Sequence, residues 1–259
     1  MTHTDSEVVD IDFFKQNGYV DLGQVFTGDE LDRFVTMYDQ DRTENGPFWR
    51  AISFDGHQSI NCEMLISSPE MDEIIRHPKL IEPIESIMEG PSCLAEACLR
   101  YMEPYEGEQV EGWHRDRAHM QDRPYRCGYI HMMLYLSDVH EGTHCFSISP
   151  EPYDAPILER EEQLEQRGIV NLHGPAGTAI LFNLSVLHTA TVRPTEHERK
   201  SVQIYYGHRG GPVLSHFTTI PTSLWLDHPD PEVRNFYSLM NNPSRKYAQA
   251  FGYTVPGDL

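Results

Sequence analysis

The sequence predicts a mainly β fold with flanking helices, of the sandwich, jelly-roll or barrel kind. Three observations carry the prediction. Short runs rich in Val, Ile, Leu, Tyr and Phe recur at 98–102, 128–136, 145–149, 178–182 and 201–206, with loops of Gly, Pro, Asp and Glu between them. The clearest helical periodicity lies before and after this stretch. The 259 residues are 39% apolar and 23% charged, which is ordinary for one globular β domain. No linker or repeat divides the chain. A single domain is therefore expected, with a mostly helical flank over 1–92, a jelly-roll core over 93–210 and an extension over 211–259 packed on that core.

Each element has its own signal. Ile11, Phe13 and Phe14 precede Asn17-Gly18, a turn signal, and Tyr19, Val20 and Leu22 follow as a short strand. Thr27-Gly28-Asp29-Glu30 has the form of a capping box, in which hydroxyl and carboxylate satisfy the free amides of a helix start. Leu31, Phe34, Val35 and Tyr38 then fall on one helix face. Ser68 opens a second helical stretch, which His77-Pro78 interrupts and which resumes over 80–88 until Gly90. Within the β region, 159–167 reads as a polar, exposed helix or loop. In the extension, Val233, Phe236, Tyr237 and Met240 return to helical spacing.

Charge excludes some partners. Twenty Lys and Arg against forty Asp and Glu give a formal net charge of −20, a field that repels nucleic acid and anionic lipid. No apolar run approaches the roughly 18 residues needed to span a bilayer, and no secretory leader pattern is visible. The five cysteines (Cys62, Cys93, Cys98, Cys127, Cys145) are odd in number and lack CxxC spacing. They read as reduced, mostly buried thiols of a cytoplasmic protein.

The chemistry starts at Trp113-His114-Arg115-Asp116. On a strand, residues i and i+2 share a face, so His114 and Asp116 can present an imidazole and a carboxylate to one point. His188, at the polar exit of the apolar run 179–187, is the best third ligand. Two His and one carboxylate with open positions is the arrangement of non-haem Fe(II) oxygenases. Arg199 stands eleven residues on, directly before a β run, where it can grip a dicarboxylate with two parallel hydrogen bonds or pair with Glu196 or Glu198. His131, His140, His144 and His173 have no pairing that outcompetes the triad.

With these motifs in order, the chain resembles the phytanoyl-CoA dioxygenase family of Fe(II)/2-oxoglutarate-dependent oxygenases over most of its length. The stretch from Phe13 to Val20 is similar to that family's opening, 76–90 to the helical segment before its core, Trp113 to Asp116 to its first metal motif, and 174–188 to its later strand and second His. The resemblance implies a double-stranded β-helix fold. It implies His114, Asp116 and His188 as Fe(II) ligands, Arg199 on the distal carboxylate of 2-oxoglutarate with Ser201 helping, and Thr143 as a further co-substrate contact. One departure is Ser147-Ile148-Ser149-Pro150, where the family usually has Pro-Gly-Ser-His. Related halogenases lack the carboxylate that Asp116 supplies, so its presence argues for hydroxylation or another oxidative outcome.

The expected activity is therefore oxidation of a C–H bond in a small-molecule metabolite, with O₂ and 2-oxoglutarate as co-substrates, by a monomer or homodimer. The alternatives are a non-catalytic jelly-roll metal- or ligand-binding protein and a Zn hydrolase on the same triad. For the substrate, Arg117 and Arg126, in a basic knot with Arg115 and Arg123, are candidate contacts for an anionic group. Trp49 and Phe54 are candidates for an aromatic lid.

Overall fold

Alternating strands separate two faces of a large sheet, one covered by helices and the other turned toward a smaller sheet. The computed structural model describes residues 9–52, 57–116, 128–152, 154–209, 213–238 and 241–254. In chain order the elements are α1 (Ile11–Asn17), β1 (Tyr19–Gln24), α2 (Gly28–Glu44), β2 (Arg50–Ala51), β3 (Gln58–Asn61), α3 (Met64–Ser67), α4 (Asp72–Ile75), α5 (Pro78–Met88), β4 (Ser92–Met102), β5 (Tyr129–Tyr135) and β6 (Cys145–Ser149). They continue with α6 (Arg160–Arg167), β7 (Val170–Leu172), β8 (Thr178–Asn183), β9 (Leu187–Thr191), β10 (Arg199–His208), α7 (Thr222–Trp225), α8 (Pro231–Phe236) and α9 (Asn242–Ala250). One antiparallel sheet has the order β1-β8-β5-β10-β4-β3-β2 and the other β7-β6-β9. This is the jelly-roll architecture the strand pattern predicts.

Period two explains the packing. Leu99, Met132, Leu134, Leu181, Val202 and Ile204 point from the large sheet toward the helices, where they meet Phe34, Tyr38, Leu80 and Ile84. Met133, Tyr135, Ile180 and Phe182 point the other way and meet Phe146 and Ile148 of the small sheet. The extension also joins the helix-side core, through Val233, Phe236 and Tyr237. Met240 and Cys127 lie outside the described residues, and the other four cysteines are buried and free. No helix among the described residues is long and apolar enough to cross a membrane.

The capping box at Thr27 does not form. Thr27 is the N-cap of α2, but its side chain makes no cap hydrogen bond. Gly28 enters the helix at φ 56°, whereas the first residue of a capped helix has helical angles. Glu30 turns outward instead, to His77 Nε2 at 3.0 Å and Lys79 Nζ at 2.6 Å. The sequence also leaves the place of the short strand at 19–22 undetermined. It becomes β1, paired with β8 from the far end of the core.

Gly177 is required where β1 runs out. Its carbonyl accepts from Val25 N at 2.9 Å, its φ is +91°, and a Cβ there would lie 2.0 Å from Phe26 O. Gly177→Ala is expected to cost about 2 kcal/mol or more, read as a lower urea midpoint. An unchanged midpoint would show that this corner relaxes freely.

Candidate metal centre and co-substrate pocket

His114 and His188 are brought together by the backbone. His114 N donates to His188 O at 3.0 Å, and His188 N donates to His114 O at 2.9 Å. The two imidazole centroids are 4.4 Å apart. The strand geometry expected for His114 and Asp116 is not what aligns them. His114 sits in an isolated bridge and Asp116 on a bend, because 115–116 already leave the sheet. The carboxylate converges nonetheless, with Oδ1 3.5 Å from His114 Nε2 and Oδ2 3.7 Å from His188 Nε2. One ligand atom from each of the three lies within 4.8 Å of the others, a spacing that three donors to one ion can adopt.

The second nitrogens fix the tautomers. His114 Nδ1 is 2.7 Å from Gly112 O, and His188 Nδ1 is 2.9 Å from Val186 O. A carbonyl can only accept, so each Nδ1 carries the proton and each Nε2 offers its lone pair. The Tyr205 hydroxyl donates to Asp116 Oδ2 at 3.0 Å, and His131 Nδ1 stands 3.6 Å from the same oxygen. Neither was singled out as a partner of the triad from sequence. Phase along β10 was the available signal, since Arg199, Ser201, Gln203 and Tyr205 alternate onto one face, and Tyr205 pairs across the sheet with His131.

The charges divide the ligands. Burial alone would raise the Asp116 pKa, but the imidazoles of His114, His131 and His188 around it hold it well below the usual carboxylate range. Burial pushes His188 down to about 4, so it is neutral at pH 7 and ready to ligate. His114 is raised, chiefly by its hydrogen bond to Asp116, and must lose its proton before binding a metal. Divalent-metal affinity is therefore expected to rise with pH, by up to about tenfold per unit below the His114 pKa, and to level off above it. Mn(II) titrations between about pH 5.5 and about 8 check this, and affinity that falls with pH would contradict it.

Arg199 occupies a different environment. It is 1% exposed, yet Nε, Nη1 and Nη2 all lack a hydrogen-bond partner, as does Ser201 Oγ two residues along the same face. The pairing with Glu196 or Glu198 does not occur. Glu198 accepts instead from Tyr101 and pairs with Lys200. A buried guanidinium with its donors unused is built for an acceptor that comes from outside, and a carboxylate matches its fork.

Other expected contacts fall elsewhere. Thr143 is buried, but its hydroxyl closes a turn, accepting from His140 N and donating to His140 O, both at 3.0 Å. That leaves no free donor for a co-substrate. Trp49 belongs to the helix-side core: it stacks edge-on against Tyr38 and donates from Nε1 to Asp41 Oδ1 at 2.8 Å. It is anchored there and is no free lid. Arg115 makes a two-point ion pair with Glu151, at 3.1 Å through each contact. Arg117, Arg126 and Phe54 lie outside the described residues.

The family model for phytanoyl-CoA dioxygenase (PhyH) matches residues 14–201, a span that contains the triad, Arg199 and Ser201. The chain belongs to the phytanoyl-CoA dioxygenase family. Its activity is thus of the Fe(II)/2-oxoglutarate-dependent oxygenase type, with Fe(II), 2-oxoglutarate and O₂ as cofactors. Solved structures share the fold at low identity. The non-haem α-ketoglutarate-dependent epimerase SnoN from nogalamycin biosynthesis matches at 15% identity and TM-score 0.66, over 77% of this chain and 79% of its own. EctD from S. alaskensis, solved with 2-oxoglutarate and 5-hydroxyectoine, matches at 17% identity and TM-score 0.67, over 90% and 85%. AviO1 from Streptomyces viridochromogenes Tue57 matches at 19% and 0.63, over 78% and 95%. Comparison with the curated proteins returned no match.

The residues present fit these cofactors. Two neutral-capable imidazoles and one ionised carboxylate suit Fe(II), and the unpaired Arg199 and Ser201 suit a distal carboxylate.

Proposed function

We propose that His114, Asp116 and His188 hold Fe(II), that Arg199 and Ser201 anchor 2-oxoglutarate, and that the protein hydroxylates a C–H bond of a small-molecule metabolite. The observation that carries this reading is the buried, partnerless guanidinium of Arg199 on the inward face of the strand whose Tyr205 touches Asp116. When bound, Fe(II) supplies O₂ activation coupled to oxidative decarboxylation of 2-oxoglutarate. The chain supplies the rest. Gly112 O and Val186 O aim both imidazoles, and Tyr205 holds one oxygen of Asp116. Asp116 fills the coordination place that a halide would need, which supports hydroxylation over halogenation. SnoN and SnoK are an epimerase and a carbocyclase on this fold, so the fold itself does not select the outcome.

Anaerobic addition of Fe(II) and 2-oxoglutarate is the direct test. A weak visible charge-transfer band is expected in the wild-type protein and absent in His114→Ala. Bound Fe(II) with no band would overturn the oxygenase reading and leave a metal-binding jelly roll.

A further inference from the structure

A second guanidinium faces the same interior. Arg100 lies on β4, opposite Ser201 in register, and Glu96, Cys98, Arg100 and Met102 share its inward face. Cys98 and Met102 are fully buried, whereas Arg100 keeps partial exposure. Its Nε has no hydrogen-bond partner, and no described carboxylate forms an ion pair with it. The groups that act on it most strongly after burial are Cys98, Tyr205 and Cys62, two thiols and a phenol rather than a carboxylate. Glu96 feels the Arg100 charge but forms no ion pair with it. Burial raises the Glu96 pKa, and its hydrogen bond goes to Ser215.

Arg100 faces Ser201 across the sheet and borders the co-substrate grip. Arg199 and Ser201 already form a two-residue carboxylate site at one end of β10. Arg100 also acts on Tyr205, farther along β10, whose hydroxyl touches Asp116. An anion held there lies beside the metal ligands. Arg50, exposed on β2, adds positive charge on the same side, with Nη2 3.8 Å from Cys62 Sγ. In a chain of net charge −20, an enclosed positive site of this kind is a local exception.

We propose that Arg100 anchors a carboxylate of the organic substrate, so that the substrate is a small carboxylic acid oxidised at a carbon near that group. The inference rests on the oxygenase reading above and narrows its substrate class. The same carboxylate chemistry could come from 2-oxoglutarate itself, and the test separates the two sources.

The probes are the standard amino acids, small hydroxy acids and aromatic acids, each beside its methyl ester. They are titrated calorimetrically into protein loaded with Mn(II) and 2-oxoglutarate. At least one acid is expected to bind, with its ester weaker by about tenfold or more. Arg100→Gln should erase that difference while binding 2-oxoglutarate within about twofold of wild type, and Arg100→Lys should restore part of it. Intact 2-oxoglutarate binding doubles as the folding control. Equal binding of acids and esters, or no acid bound while 2-oxoglutarate binds, overturns the proposal. So does an Arg100→Gln protein that loses 2-oxoglutarate as severely as Arg199→Gln, which would make Arg100 a co-substrate ligand. Failure of wild-type protein to bind 2-oxoglutarate is a separate readout, and it overturns the oxygenase reading together with this one.

Discussion

Arg199→Met should make the apoprotein more stable and abolish its response to 2-oxoglutarate. Arg199 is buried with three unsatisfied nitrogens, and burial lowers its pKa, the mark of a charge without compensation. An uncompensated buried charge is strongly destabilising, and a hydrophobic residue of similar volume removes that cost. A gain of about 1–3 kcal/mol is expected, which is a rise of a few degrees in Tm for a domain of this size. The same change removes two charge-assisted hydrogen bonds to the distal carboxylate. At about 1.5–3 kcal/mol each, their loss weakens 2-oxoglutarate binding by at least about a hundredfold. Thermal melts with and without 2-oxoglutarate, on metal-loaded protein, read both effects at once. A variant that is less stable than wild type and still shifts with 2-oxoglutarate would make Arg199 a structural residue.

Asp116→Ala should abolish turnover, with a loss of about a thousandfold or more in 2-oxoglutarate consumption. It removes one of three ligands and the group that raises His114. The His114 titration should therefore move down, and the pH dependence of metal affinity should shift to lower pH with it. Tyr205→Phe removes only the hydroxyl that steadies Asp116 and should weaken metal binding by about tenfold. Succinate release and Mn(II) affinity measure these effects. Wild-type consumption in Asp116→Ala would remove the carboxylate from the proposed ligand set.

The sequence shows the site's atoms better than their arrangement. His114, Asp116, His188 and Arg199 are visible because each sits in a local pattern: a triplet, the end of an apolar run, the start of a β run. Tyr205 and His131 are harder to see, since Tyr205 reaches Asp116 from 89 residues away and His131 is set beside it by strand register, which spacing does not encode. Arg100 is hidden for the same reason, being one residue of an otherwise apolar-looking run. Thr143 and Trp49 show the opposite error. Their residue types suited a binding role, but nearer partners, the His140 backbone and Asp41, had already taken their polar atoms. At Thr27 a correct helix start came with the wrong cap, because Gly28 changes the entry of the chain.

The sheet order has a consequence for synthesis. β10 lies between β4 and β5 at the centre of the large sheet, yet it is the last strand made. Until residue 208 has left the ribosome, β4 and β5 have no common neighbour, and their edges stay open to other chains. The strand that closes the sheet also carries Arg199, Ser201 and Tyr205. Nascent or truncated chains ending before it should be aggregation-prone and unable to recognise co-substrate, and ligand binding should switch on with the completed fold rather than accumulate along it.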